Sequence, residues 1–148
     1  MTMREIEQDI LNDLEELNDT ISQYSYLIAC ASECADFPEQ FRTAEYLIKE
    51  CQVNTWVALC WEDERCRLYA DSEALLIKGA LALLQEIYED RTKAEVESYH
   101  CGLLQAESFS RHFTKEQTDG LKHIFKISAI IVEGEDKERG DFDDNNTD

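Results

Sequence analysis

The chain predicts an α+β fold, a small three-stranded antiparallel sheet with helices packed on one face, and three observations carry the prediction. Apolar residues recur at helical spacing near both ends, two β-prone runs flank the polar turn Glu62-Asp63-Glu64-Arg65, and the run after Asp71 is apolar nearly all round. The order is helix, helix, small sheet, then several helices, an arrangement that covers one face of the sheet. A chain of 148 residues suits one domain with a sizeable core.

The first helix spans Met1 to Asn18, where Ile6, Ile10, Leu14, Leu17 and Ile21 mark one helical face. Thr2 and Glu5 have the form of a capping box, and Glu5, Glu7 and Asp9 sit in early turns, where the helix dipole favours carboxylates. Asn18-Asp19-Thr20 makes a break. A second helix follows from Ile21 to Ala35, with Tyr24, Leu27, Ile28 and Ala31 on its apolar face. Pro38, the only proline, pushes Phe37 out of helical space. Tyr46-Leu47-Ile48 reads as a short strand. Thr55 to Trp61 and Cys66 to Ala70 read as a hairpin on a four-residue turn, with Leu68 and Ala70 on one face and Tyr69 on the other.

Asp71 and Ser72 are read as the cap of a long helix, Glu73 to Glu89. Its apolarity places it in the core, against the sheet. Gly79 in its middle is about 1 kcal/mol worse than alanine for a helix, which implies close approach of a neighbouring backbone. Thr92 and Glu95 begin a short helix to Tyr99, and His100 to Ser110 is helix or turn carrying Leu103, Leu104 and Phe109. Thr114 and Gln117 begin a last helix to Val132, with Leu121, Ile124, Phe125, Ser128 and Ile131 as its stripe. Glu133 to Asp148 is acidic with one aromatic, too poor in apolar residues to fold. The expected division is a domain over 1–132 and a disordered acidic tail over 133–148.

Composition excludes several functions. A net charge of -19 argues against nucleic acid, whose phosphates require Lys and Arg, and equally against an anionic membrane surface. A basic protein partner is compatible with it. No apolar run approaches the ~20 residues of a membrane span, and Met1 to Asp9 lacks the layout of a signal peptide. The expected location is therefore cytoplasmic, where the six cysteines stay reduced.

Cys51 is the candidate that matters most. It stands in the polar patch Lys49-Glu50-Cys51-Gln52-Val53-Asn54, just before the strand that starts at Thr55. A thiol at a strand mouth can meet another protein's thiol without opening the core. Lys49 favours its thiolate and Glu50 opposes it. The same residue also fits a small buried side chain at a strand end. Cys30 and Cys34 lie four apart and share a helical face, which suits either a metal pair or ordinary packing. Cys60 and Cys66 flank the hairpin turn and can approach across the ladder. Cys101 follows His100, but neighbours point apart, which argues against a nucleophile and base. His112 and His123 read as surface or capping residues, Lys78-Gly79 as packing, and Trp56 and Trp61 as core and hairpin surface.

Cys51-Gln52-Val53-Asn54-Thr55-Trp56 resembles the Cys-Gln-Ser-x-Val-Trp motif of the SufE family of sulfur acceptors. The run Asp71-Ser72-Glu73-Ala74-Leu75-Leu76-Ile77-Lys78-Gly79 is similar to that family's Asp-Ser-Asp-Ala-x-Ile-Val-Lys-Gly. Tyr24-Ser25-Tyr26-Leu27-Ile28 resembles its Tyr-Leu-Tyr-Ile-Ile, and His112-Phe113-Thr114 with Gly120-Leu121 resembles its His-Leu-Thr and Gly-Leu. The motifs stand in order from roughly Ile10 to Ile130. Glu50 stands where Gly is usual, Val53 where Ser is usual, and Lys115-Glu116-Gln117 where Pro-Ser-Arg is usual.

The resemblance implies a SufE/NifU-like fold over 1–132. It implies that Cys51 takes sulfane sulfur as a persulfide from a cysteine desulfurase, stimulates that enzyme and passes the sulfur to an iron–sulfur scaffold. Gln52, Trp56 and Glu73 become candidates for docking the desulfurase, although Glu73 also suits the helix dipole. The chain would need no cofactor or metal of its own, because the pyridoxal phosphate belongs to the partner. A homodimer is left open. Two other functions fit the cysteines: a scaffold holding zinc or an iron–sulfur cluster, and a non-catalytic interaction protein with a degenerate motif.

Overall fold

The computed structural model describes residues 1–126. Ser128, Ile131 and the acidic segment 133–148 lie outside the described residues. Helix α1 covers Met3–Glu16 and opens on the expected capping box, in which Thr2 and Glu5 bond each other's backbone N–H. Helix α2 covers Thr20–Cys30, capped by Asp19, and closes in a 3-10 turn, Ala31–Glu33. Strands β1 (Thr55–Glu62) and β2 (Arg65–Ser72) pair antiparallel from Thr55↔Ser72 to Glu62↔Arg65. Helices α3 (Leu75–Tyr88), α4 (Lys93–Ser98), α5 (Glu107–Ser110) and α6 (residues 115–126) follow. The expected capping boxes at Thr92/Glu95 and Thr114/Gln117 are both formed.

Among the described residues the sheet has two strands, not three. Tyr46 to Ile48 does run beside β1: Ile48 N–H donates to Thr55 O, Val57 N–H donates to Tyr46 O, and Leu47 bridges Trp56. A turn from Thr43 to Tyr46 precedes this segment and another, from Ile48 to Cys51, follows it at once. The chain bends away before a ladder can grow. The hairpin turn is also tighter than expected. Glu62 and Arg65 pair as strand residues, and Asp63 and Glu64 alone make the turn at φ of 53° and 64°, as a two-residue turn of the hairpin hand requires.

Asp71 and Ser72 do not cap α3. They end β2, and α3 starts two residues beyond Glu73 with no side-chain cap on Ala74. Both are held by other partners: Ser72 Oγ meets Thr55 Oγ1 at 2.8 Å, and Asp71 binds Arg42 at 2.9 Å and Lys78 at 3.3 Å.

The apolar reading of α3 is correct in its main consequence. Leu76, Ile77, Ala80, Leu81, Leu84 and Ile87 are buried, and α3 packs on β2 on one side and on α2 and α1 on the other. Gly79 meets α2 there, where a Cβ would collide with the Leu27 carbonyl. Buried Gln85 secures the same layer, donating to Leu68 O at 3.0 Å and accepting from Ala35 N–H at 3.1 Å. No helix among the described residues is long and apolar enough to cross a membrane.

Candidate functional site

Cys51 sits where the turn after Ile48 feeds β1, its N–H bonded to Ile48 O at 3.1 Å. Ile48 is buried and anchors the loop, whereas Gln52, Val53 and Asn54 are exposed. The loop rejoins the fold through the start of α3. Asn54 N–H and its side-chain amide donate to the Glu73 carboxylate, at 3.3 and 3.5 Å, and Glu73 N–H donates back to Asn54 O at 3.0 Å. Buried Thr55 fixes the strand end, paired with Ser72.

The thiol is half-buried and opens on a pocket of about 70 Å³ lined by Gln52, Val53, Ala74, Ile77, Glu116 and Gln117. A cavity needs only about 10–15 Å³ of such space to hold one water, so there is room for a small group beside the sulfur. Three elements that are distant in sequence build this space: the loop, α3 and the first turn of α6. Helix α6 also covers the thiol directly. A Cβ on Gly120 would lie 2.9 Å from Cys51 Sγ. One turn further on, His123 Nε2 reaches Glu50 Oε1 at 2.9 Å.

Burial pushes the Cys51 thiol above its ordinary pKa; a bond with the Thr55 side chain pulls it down, and the charge of Glu50 pushes it up again. At rest, therefore, the sulfur is held as thiol. The thiolate that attacks a sulfur electrophile forms when the surroundings change or the pH is high.

The other docking candidates fall on two sides of the sheet. Gln52 and Glu73 border the Cys51 pocket or its loop. Trp56 is half-buried and points to the opposite face of the sheet by strand alternation. There the Arg42 guanidinium lies 4.7 Å from its ring centre and Phe37 packs beside it. The structure does not bring Trp56 together with Gln52. Two exposed apolar side chains flank the Gln52–Glu73 region in sequence, Val53 at 39% and Leu75 at 56% of full exposure.

None of the six cysteines is in a disulfide. Cys60 and Cys66 do not meet across the ladder as expected: Cys60 pairs with Arg67, Cys66 with Trp61, and alternation sends them to opposite faces. Cys34 leaves the α2 helical path, and its thiol donates to Ala70 O at 3.4 Å. Burial pushes it up to about 11. Cys101 is likewise raised to about 11 by burial and bonds the Tyr99 side chain, while His100 is exposed. Among the described residues no three His, Cys, Asp or Glu side chains gather as a metal-ligand set. His112, partly buried, lies 3.0 Å from Gln23, whose amide in turn donates to Leu14 O and Leu17 O.

Two features escape the local sequence. The Glu7 carboxylate, read as a dipole partner, is buried and accepts from Tyr99 Oη at 2.5 Å and Gly102 N–H at 2.8 Å. Its position on the apolar side of α1 is the one local sign. The Glu50–His123 pair has no local sign at all, since its partners stand 73 positions apart.

Comparison with known proteins bears on this geometry. Residues 8–129 match the family model described as SufE: Fe-S metabolism associated domain. A relative from Wigglesworthia glossinidia brevipalpis, Cysteine desulfuration protein SufE, is 29% identical over 107 residues, covering 71% of this chain and 74% of its own. The solution structure of a hypothetical protein from Thermus thermophilus superposes with a TM-score of 0.73 at 20% identity. It spans 87% of this chain and 94% of its own, a likeness of fold.

Proposed function

This chain belongs to the SufE family, and on that premise we propose that Cys51 accepts sulfane sulfur from a cysteine desulfurase. In the same reading the protein raises that enzyme's turnover and hands the sulfur on to an iron–sulfur scaffold. The observation that supports it best is a half-buried thiol on a loop with exposed neighbours, opening on a small pocket. An acceptor must be reachable by a second protein, yet the persulfide it forms must be kept from bulk thiols that would reduce it.

The transfer balances without an added oxidant. The Cys51 thiolate, its proton released to solvent, attacks the outer sulfur of the donor's persulfide. A new S–S bond forms on Cys51 as the donor's S–S bond breaks, and the donor cysteine leaves as thiolate. The sulfane sulfur keeps its oxidation state throughout. Pyridoxal phosphate remains with the desulfurase, and this chain contributes a thiol and a pocket. Gln52 and Glu73, at the mouth of the loop, are the proposed docking contacts; Trp56 docks only a partner that reaches across to the second face of the sheet. The reading places the protein in the cytoplasm, where reduced thiols are the rule.

Incubation with a desulfurase and cysteine should add one sulfur to Cys51, read by intact and peptide mass, and should speed cysteine turnover. Cys51→Ser should abolish both and leave the circular dichroism spectrum unchanged. Loading that survives this substitution, or a wild-type protein that neither loads nor stimulates, sinks the proposal.

A further inference from the structure

Helix α6 does more than wall the pocket. Gly120 is buried directly over the Cys51 sulfur, and a Cβ there would also lie 3.7 Å from Glu50 O and 3.8 Å from Cys51 Cα. The helix backbone thus rests on the loop itself. His123 follows three residues later, on the same face of the helix, and closes on Glu50, the residue immediately before the thiol. Glu116 and Gln117, in the first turn of the same helix, line the pocket beside the sulfur. The cover over the Cys51 sulfur is therefore set by how firmly the loop is held to this one helix. The loop's opposite end is held separately, by Asn54 and Glu73.

We infer that the Glu50–His123 pair is a clasp that holds the Cys51 turn on α6, with His123 a positioning residue that must release Glu50 before a donor can reach the sulfur from that side. The inference rests on Cys51 being the acceptor only for its meaning in transfer; the clasp itself is a property of the loop. With the pair closed, Sγ lies under Gly120. With the pair open, the turn remains tied at Ile48 and Asn54, and the sulfur swings outward by giving up its bond to the Thr55 side chain. A desulfurase that offers its own cation to Glu50 would open the clasp as it docks. The imidazole and carboxylate keep 34% and 48% of their side-chain exposure, so both are within reach of such a partner.

Alkylation of Cys51 by iodoacetamide, followed by peptide mass mapping across a pH series, tests the clasp without any sulfur donor. The rate limit at high pH reports access to the sulfur, whereas the midpoint reports thiolate formation, so the charge of Glu50 does not confuse the two. His123→Ala and Glu50→Ala should each raise the limiting rate about threefold, the scale of one partly exposed hydrogen bond. The double variant should be no faster than either single one. His123→Gln, whose amide can still donate to Glu50, should stay near wild type. Unchanged limiting rates in both single variants, or a double variant whose effect is the product of the singles, would overturn the inference. If His123→Ala does not fold, Glu50→Ala and His123→Gln decide it alone. Because no desulfurase is present, failure here leaves the acceptor reading untouched, and failure of sulfur loading leaves the clasp untouched.

Discussion

Two buried glycines on two helices do opposite jobs. Gly79 on α3 admits the Leu27 carbonyl of α2, and Gly120 on α6 admits the sulfur of Cys51. The first contact joins two backbones inside the core, where neither side can yield without moving a helix. The second joins a backbone to the end of one short side chain on a surface loop, which can turn aside. A missing Cβ is a packing requirement in one place and a setting of thiol position in the other. The two helices therefore divide the labour: α3 makes the fold and walls one side of the pocket, and α6 covers the sulfur.

Adding the missing carbon at each position separates the two roles most strongly. Gly79→Ala should lose about 3 kcal/mol in urea unfolding, because overpacking against backbone outweighs the helix propensity gained. A stable Gly79→Ala variant would show that the α2–α3 contact can slide. Gly120→Ala should leave stability within about 1 kcal/mol of wild type, as helix propensity offsets the crowding. Its effect should appear at Cys51 instead, where the displaced thiol gains access and the high-pH alkylation limit rises severalfold. A large stability loss with unaltered Cys51 reactivity would make Gly120 a second Gly79.

The smallest effect comes from protons. Burial raises Cys34 and Cys101 to about 11 and raises Cys51 above its ordinary value. An unfolded thiol titrates at about 8.5. Each of these thiols thus contributes stability that is intact below that pH and is lost as pH climbs through the folded value. Urea midpoints should be level near neutrality and fall above about pH 9, the range set by that unfolded thiol value. Over the same range Cys51 should alkylate before Cys34 and Cys101. An order with Cys34 first would place the open thiol on the wrong side of the molecule.

Much of the fold is legible in the sequence because its signals are local. Three capping boxes each need only four adjacent residues, and the hairpin and α3 declare themselves by alternation and by continuous apolarity. The third strand misleads because Tyr46-Leu47-Ile48 has strand chemistry, while its length is fixed by turns on both sides. The supposed cap at Asp71-Ser72 misleads for a related reason. Ser and Asp accept backbone N–H bonds wherever the chain bends, and here the strand claims them first. At the site, Cys51 and its loop are visible in one short run of residues. What covers the sulfur is not, because Gly120 and His123 meet the loop only after the chain has passed through the sheet and α3.

The buried Glu7 carboxylate has a consequence in time. Its two donors, Tyr99 and Gly102, stand 92 and 95 positions later in the chain. A ribosome adding 5–20 residues per second would deliver them roughly 5–20 s after Glu7 itself. Until then the carboxylate has only water and the exposed Arg4, 3.8 Å away on the same helix, and α1 cannot seal against the rest of the core without burying a carboxylate short of its donors. The N-terminal helix is made first and must dock late, and the wait ends only once Tyr99 and Gly102 leave the ribosome.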